Sequence, residues 1–275
     1  MRDGVRWLDP HASQAITVST PTHASPADTR LRRAFTAPGE PDWQEIRAAI
    51  LAGANPNGSS IRRAGRTLLT YQLSRRKTST SDVRWLLKHG ANPNASDMND
   101  ETPLIVATAT EQGVSTVACL LNHGAHPNTR NRHGWTPLAY AVWYAGRPTD
   151  TIALLLAHGA DPNASNDVED QTILFLAANG PAITDLAGLL GVLLDAGADP
   201  TLTDNAGRTL PQNFVNTDRQ DSLEDLDVAL ASPARTTARR RLLGRLTDDQ
   251  QKAWLPRAAL AETATDITKP WTRKP

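Results

Sequence analysis

The feature that most constrains this chain is a short block that returns at a nearly constant interval. It reads Ile50-Leu51-Ala52-Gly53-Ala54-Asn55-Pro56-Asn57, Leu86-Leu87-Lys88-His89-Gly90-Ala91-Asn92-Pro93-Asn94 and Leu120-Leu121-Asn122-His123-Gly124-Ala125-His126-Pro127-Asn128. It returns as Leu155-Leu156-Ala157-His158-Gly159-Ala160-Asp161-Pro162-Asn163 and Leu193-Leu194-Asp195-Ala196-Gly197-Ala198-Asp199-Pro200. The glycines stand at 53, 90, 124, 159 and 197, so the steps are 37, 34, 35 and 38 residues. A period of this size predicts small units stacked in one dimension, each burying its apolar side on its neighbours. In each copy an apolar pair ends an amphipathic helix. The glycine then supplies a left-handed residue, and the proline forbids more helix and opens a turn.

A second block keeps the same rhythm: Thr102-Pro103-Leu104-Ile105, Thr136-Pro137-Leu138-Ala139 and Thr172-Ile173-Leu174-Phe175, with weaker copies at Thr67-Leu68-Leu69 and Thr209-Leu210-Pro211. The threonines are spaced by 35, 34, 36 and 37 residues. Thr is suited to cap a helix, and Pro in the first turn costs no intrahelical bond. Each unit therefore predicts a polar finger, a short capped helix, a break and a second helix that runs to the apolar pair.

Gly134-Trp135-Thr136-Pro137-Leu138 and the block at 154–163 resemble the ankyrin repeat family, whose unit is a turn plus two antiparallel helices of about 33 residues. The resemblance spans residues 28–231. It implies an all-α ankyrin-repeat solenoid, with hairpin-like fingers and an N-terminal capping helix pair. The sequence departs from the family where a His usually follows Thr-Pro-Leu. Here Ile105, Ala139, Phe175 and Thr70 stand there, so the family's Thr–His bond cannot form.

Residues 1–27 lack periodicity and read as a disordered leader. Asp28 is expected to cap a helix carrying Leu31, Ala34 and Phe35, and Pro41-Asp42 to open its partner. Ser222 is expected to cap the last repeat helix, whose outer side is acidic. Residues 232–275 read as a helical C-terminal cap and loose tail. Their stretch 232–257 has seven basic residues against two acidic, and pairing with the acidic helix before it is the simplest use of them. Thr247-Asp248-Asp249-Gln250 has the form of a capping box ahead of Trp254 and Leu255.

The bulk charge excludes a strong global pull toward nucleic acid or anionic membrane, since 29 basic residues balance 29 acidic ones. A single cysteine, Cys119, excludes an intramolecular disulfide framework and reads as a small buried hydrophobe. No apolar run reaches membrane-spanning length, and no apolar leader precedes the array. A monomeric cytoplasmic protein is expected.

No catalytic, cofactor or metal constellation is present in the sequence: no Gly-rich phosphate loop, no paired cysteines, no His-Glu-x-x-His. His89, His123 and His158 recur with the repeat and read as structural residues at helix ends, a unit apart and too distant to share an ion.

The departures from the repeat point to binding. The family resemblance implies a curved array in which contacts come from the finger before each Thr and from the end of the first helix. In the third unit these are Arg130, Arg132, His133, Trp135, Trp143 and Tyr144, and aromatics and Arg dominate interface energy. The first unit is basic there (Arg62, Arg63, Arg66, Arg75, Arg76, Lys77) and the fourth acidic (Asp167, Glu169, Asp170). The expected function is a non-enzymatic scaffold that binds a protein partner on the concave face. The alternative is a nucleotide or nucleic acid, stacked on Trp135, Trp143 and Tyr144 with its phosphates on the Arg-rich first unit.

Overall fold

The structure is a computed structural model that describes residues 25–36, 41–58, 65–75, 78–110, 112–144, 149–167, 170–180, 185–216, 220–235, 238–239, 242 and 244. These residues form twelve α-helices and no strand, with one isolated antiparallel bridge between Ser165 and Thr172. The fold is all-α and built of repeats. The chain divides into two compact units, 1–54 and 55–275.

The first unit is a helix pair, α1 (Pro26–Thr36) and α2 (Trp43–Leu51). The cap of α1 differs from expectation. Ser25, not Asp28, sits at the helix start: its hydroxyl accepts from the Asp28 N–H at 3.0 Å and donates to the Asp28 carboxylate at 2.7 Å. Asp28 is the reciprocal partner three residues in, which is why a single acidic residue there looked like the cap. Asp42 caps α2 as expected. Leu31, Phe35, Ile46, Ala49 and Ile50 are buried, and Arg30 pairs with Glu45 across the two helices at 2.6 Å.

The second unit holds five helix pairs. They are α3 (Leu68–Leu73) with α4 (Thr80–Lys88), α5 (Pro103–Ala109) with α6 (Val114–Asn122), α7 (Pro137–Trp143) with α8 (Thr149–Ala157), α9 (Ile173–Asn179) with α10 (Leu186–Asp195), and α11 (Leu210–Asn216) with α12 (Gln220–Leu230). The short first helices stack in a row, α3 on α5 on α7 on α9, and the second helices α4, α6 and α8 form a parallel row. Leu68, Leu104, Leu138 and Leu174 on the first helices and Leu86, Leu120, Leu155 and Leu193 on the second helices are all at most 2 % exposed.

Local chemistry explains the boundaries. Thr67, Thr102 and Thr136 each accept the N–H three residues on, at 3.2, 3.4 and 3.1 Å. Thr172 makes no side-chain cap bond. At Thr209 only the reverse half of a capping box forms, from its N–H to Gln212 Oε1 at 2.7 Å. Although the family's His is missing, one unit replaces its bond: the Thr67 and Thr70 hydroxyls are 3.1 Å apart. At the other helix ends the expected glycines are left-handed, with φ between 83° and 94°. At Gly159 this closes a Schellman motif, with Gly159 N–H on Leu156 O and Ala160 N–H on Leu155 O, both at 3.0 Å.

The asparagine that ends each turn block joins units, a role that block spacing alone did not reveal. Asn57 Nδ2 donates to Gly90 O at 2.9 Å and Asn57 Oδ1 accepts from Asn92 N–H at 2.6 Å. Asn94 does the same to Gly124 and His126, both at 2.8 Å. Asn128 does so to Gly159 and Asp161, both at 2.8 Å, and Asn163 to Gly197 and Asp199 at 3.0 and 2.7 Å. Four identical rungs thus tie five successive turns. The fifth turn has Thr201 where its Asn would stand, and the Thr201 hydroxyl turns back on Asp199 at 2.7 Å.

The last helix begins at Gln220, so Ser222 lies inside it and is not its cap. The chain then makes a 3-10 turn, Pro233–Arg235. Arg235 reaches α10 and α12, with Nε on Asp195 Oδ1 at 2.7 Å, Nη2 on Asp195 Oδ2 at 2.5 Å and Nη1 on Ala229 O. A Cβ at Gly191 would lie 3.1 Å from its Nη1. Arg239 pairs with Asp227 at 2.6 Å, which is the expected basic-on-acidic contact, and Leu242 is fully buried. The capping box at Thr247 and the residues Trp254 and Leu255 lie outside the described residues.

Candidate functional site

The fingers that precede the first helices are built alike. Asn131 Oδ1 accepts from His133 N–H and Trp135 N–H, both at 3.0 Å. Asp97 Oδ1 does so from Asn99 and Glu101 at 2.8 and 3.1 Å, and Asp204 Oδ1 from Ala206 and Arg208 at 3.0 and 2.9 Å. In these three fingers one buried Asp or Asn, five residues before the Thr, therefore holds the tip in a turn. Two residues before the Thr the chain is left-handed, at Gly65, Gly134 and Gly207 but also at Asp100 (φ 59°) and Asp170 (φ 49°). Successive tips touch: Arg132 N–H donates to Asn99 O at 3.3 Å and Asp167 N–H to His133 O at 3.4 Å.

The residue before each Thr is Arg66, Glu101, Trp135, Gln171 and Arg208 in turn. Trp135, half-buried, has two rings beside it. Tyr140 lies at 5.1 Å between centroids and tilted by 48°, and Trp143 at 5.7 Å and edge-on at 87°. Tyr144 continues the set, parallel to Tyr140 within 4° at 6.1 Å, and is 44 % exposed. Tyr140, which the sequence reading missed, is thus the member that joins finger to helix. Its signal was present, since Tyr140 and Tyr144 are one helical turn apart. Its hydroxyl accepts from Asn131 Nδ2 at 3.0 Å, so the residue that shapes the finger also fixes the ring.

The charges around the rings are arranged less simply than the sequence implied. Arg130 is tied to Asp167 at 2.5 Å and to Ser165 O at 2.7 Å, so a basic and an acidic candidate neutralise each other. Arg66 faces the buried Asp97 carboxylate at 3.6 Å. Arg132 and His133 are exposed at the third tip. Arg62, Arg63 and Glu169 lie outside the described residues. Glu101 was also missed. Burial and then the neighbouring Asp97 push its carboxyl above the usual range, opposed by Arg66, His133 and Arg132. Burial and then Glu101 push the Tyr140 phenol up, while the Asn131 hydrogen bond acts the other way.

The repeat-periodic histidines take structural roles as expected. The Nδ1 atoms of His89, His123 and His158 lie 2.8, 2.7 and 2.9 Å from the carbonyls four residues back. Cys119 is buried. Among the described residues no group of three acidic, His or Cys side chains could hold a metal, and no helix is long and apolar enough to cross a membrane.

A family model described as ankyrin repeats (3 copies) matches residues 45–131 and, in an overlapping register, 74–166. No curated protein matches the chain. Repeats of this kind generally mediate protein–protein interaction, and their family is typically non-enzymatic. Residues 45–166 thus carry ankyrin repeats, and the paired helices and left-handed turn glycines of that stretch agree with the match.

Proposed function

We propose that this protein is a non-enzymatic scaffold that binds a protein partner through its fingers and first helices, the side that the family resemblance makes concave. The binding centre is the third unit. The observation that carries this reading is the four-ring cluster of Trp135, Tyr140, Trp143 and Tyr144. A core needs no such cluster there, because Leu138, Ala139, Ala141 and Val142 already fill the buried side of the same helix. Rigid aromatics beside exposed Arg132 and His133 are the residue types that anchor protein interfaces. Arg130 and Asp167 support the tips as a pair, and in sequence the first unit is basic (Arg62, Arg63, Arg66) while the fourth carries Glu169.

Nucleotide or nucleic-acid binding is the weaker reading. Trp135 already packs against the Tyr140 and Trp143 rings, which leaves less free ring for a base, and Arg66 and Arg130 are already turned to carboxylates. The test is affinity capture from the source cell with the wild-type chain and with Trp135→Ala/Tyr144→Ala. Each anchor should contribute about 2 kcal/mol, roughly 30-fold in affinity, so the double variant should lose the partner while its helix content is unchanged. Retention of the same partner by the double variant sinks the reading. Salt-sensitive quenching of Trp fluorescence by an oligonucleotide would favour the alternative.

A further inference from the structure

The four rungs are alike in geometry but not in chemistry. Asn94 and Asn163 are followed by Ala95 and Ala164, and Asn128 by Thr129, whereas Asn57 is followed by Gly58. An asparagine loses its amide when the next backbone nitrogen attacks the side-chain carbon, and a Cβ on that next residue hinders the approach. Glycine has none. Gly58 is exposed. The sequence of the finger that follows it also departs from that of three others. Five residues before Thr67 stands Arg62, where Asp97, Asn131 and Asp204 stand before theirs, and a guanidinium cannot accept N–H groups. From Asn57 to Thr67 is 10 residues, against 8 from Asn94 to Thr102 and 8 from Asn128 to Thr136.

The geometry points to Asn57 as a self-modification site, where the chain converts the amide of its own first rung to a carboxylate with water as the only co-reactant. The Gly58 nitrogen bonds to Asn57 Cγ and gives up its proton, the Cγ–Nδ2 bond breaks, and Nδ2 leaves as ammonia. One water then opens the cyclic imide at either carbonyl, giving aspartate or isoaspartate. The closed rung restrains the step, because Nδ2 is held on Gly90 O and Oδ1 on Asn92 N–H. Reaction therefore proceeds from local opening of this rung. Once it has occurred the rung cannot close as before. A carboxylate oxygen meets the Gly90 carbonyl where a donor stood, two acceptors without a proton between them. The isoaspartate form also lengthens the main chain by one carbon.

This inference is independent of where a partner binds. It is tested on the full-length chain held at mildly alkaline pH, with and without urea, by peptide mapping of Asn57, Asn94, Asn128 and Asn163. Expected are conversion at Asn57 in native buffer while the other three peptides persist, faster conversion in urea, and a lowered melting temperature of the aged protein that Asn57→Asp reproduces. Gly58→Ala should abolish the conversion without lowering the melting temperature, since the nearest atom to the added Cβ is Asn55 O at 4.0 Å. Persistence of Asn57 in native buffer, or conversion with an unchanged melting temperature, overturns the proposal.

Discussion

Asn128 of one turn holds Gly159 of the next, its amide nitrogen 2.8 Å from the glycine carbonyl. With the second bond to Asp161 N–H, the side chain serves the neighbour's backbone. Asn128→Ala should therefore cost about 2 kcal/mol, two hydrogen bonds at about 1 kcal/mol each. The loss should be read at the junction: amide exchange should quicken at Asp161 more than at Ala125, which belongs to the unit that carries the substitution. Uniform acceleration through both units would count against the rung as a joint.

Two fingertips place an aspartate where three others place glycine. Left-handed backbone costs an L residue about 1 kcal/mol or more, so Asp100→Gly and Asp170→Gly should each raise stability by up to about 1 kcal/mol in urea melts. Gly134→Ala should do the reverse and by more. It adds the backbone cost at φ 74° and sets a Cβ 2.6 Å from Asp167 N.

Glu101 and Asp204 should titrate in opposite directions. The Glu101 carboxyl is raised by burial and by Asp97, so the folded state keeps a proton that the unfolded chain gives up. Stability falls as pH rises from the usual carboxylate range through the raised value, and Glu101→Gln should remove that loss, leaving the variant more stable at neutral pH and equal to wild type in acid. For Asp204, burial pushes the carboxyl up, but the Arg208 hydrogen bonds hold it below the usual range. Its contribution is present above the unfolded value and disappears as pH falls through the folded one. Urea midpoints measured across an acid series for Glu101→Gln and Asp204→Asn separate the two.

Arg235 and Asp195 share a bidentate contact but not its weight. The Asp195 side chain is 58 % exposed and that of Arg235 16 %. Asp195→Asn should cost less than about 1 kcal/mol, as exposed pairs do. Arg235→Ala should cost about 2 kcal/mol, because it also strips the contact over Gly191 and a bond to Ala229 O. Thermal melts of the two variants test the order.

Tyr140→Phe separates ring from hydroxyl. It should keep the stack with Tyr144 and Trp135 and cost about 1 kcal/mol by leaving Asn131 Nδ2 without its acceptor. Partner affinity should change less than in Trp135→Ala, as measured by titration with the captured partner.

The architecture was legible because each unit repeats its own instructions: an apolar pair, a glycine, a proline, a Thr. What escaped was whatever depends on two units at once. Asn57, Asn94, Asn128 and Asn163 were visible as a pattern, yet their bonds run 30 to 36 residues ahead, and no local preference reports such a reach. Trp135, Trp143 and Tyr144 stood out as departures from the repeat. Tyr140 did not, because a helix position beside buried Ala139 and Ala141 reads as core until its ring is seen to lean on the finger. The pairing of Arg130 with Asp167 was equally hidden, since sequence shows two charges and not the 2.5 Å between them.

Thr201 stands where a fifth asparagine would stand, and its hydroxyl is spent on Asp199. Four amides join five turns, and the fifth turn has no asparagine at that position with which to repeat the rung. Lengthening such a chain by duplicating its final pair would thus produce a fracture at the seam. Duplication of an inner pair, which carries its own amide, would not. The number of turns is written into the chain by where one amide is withheld.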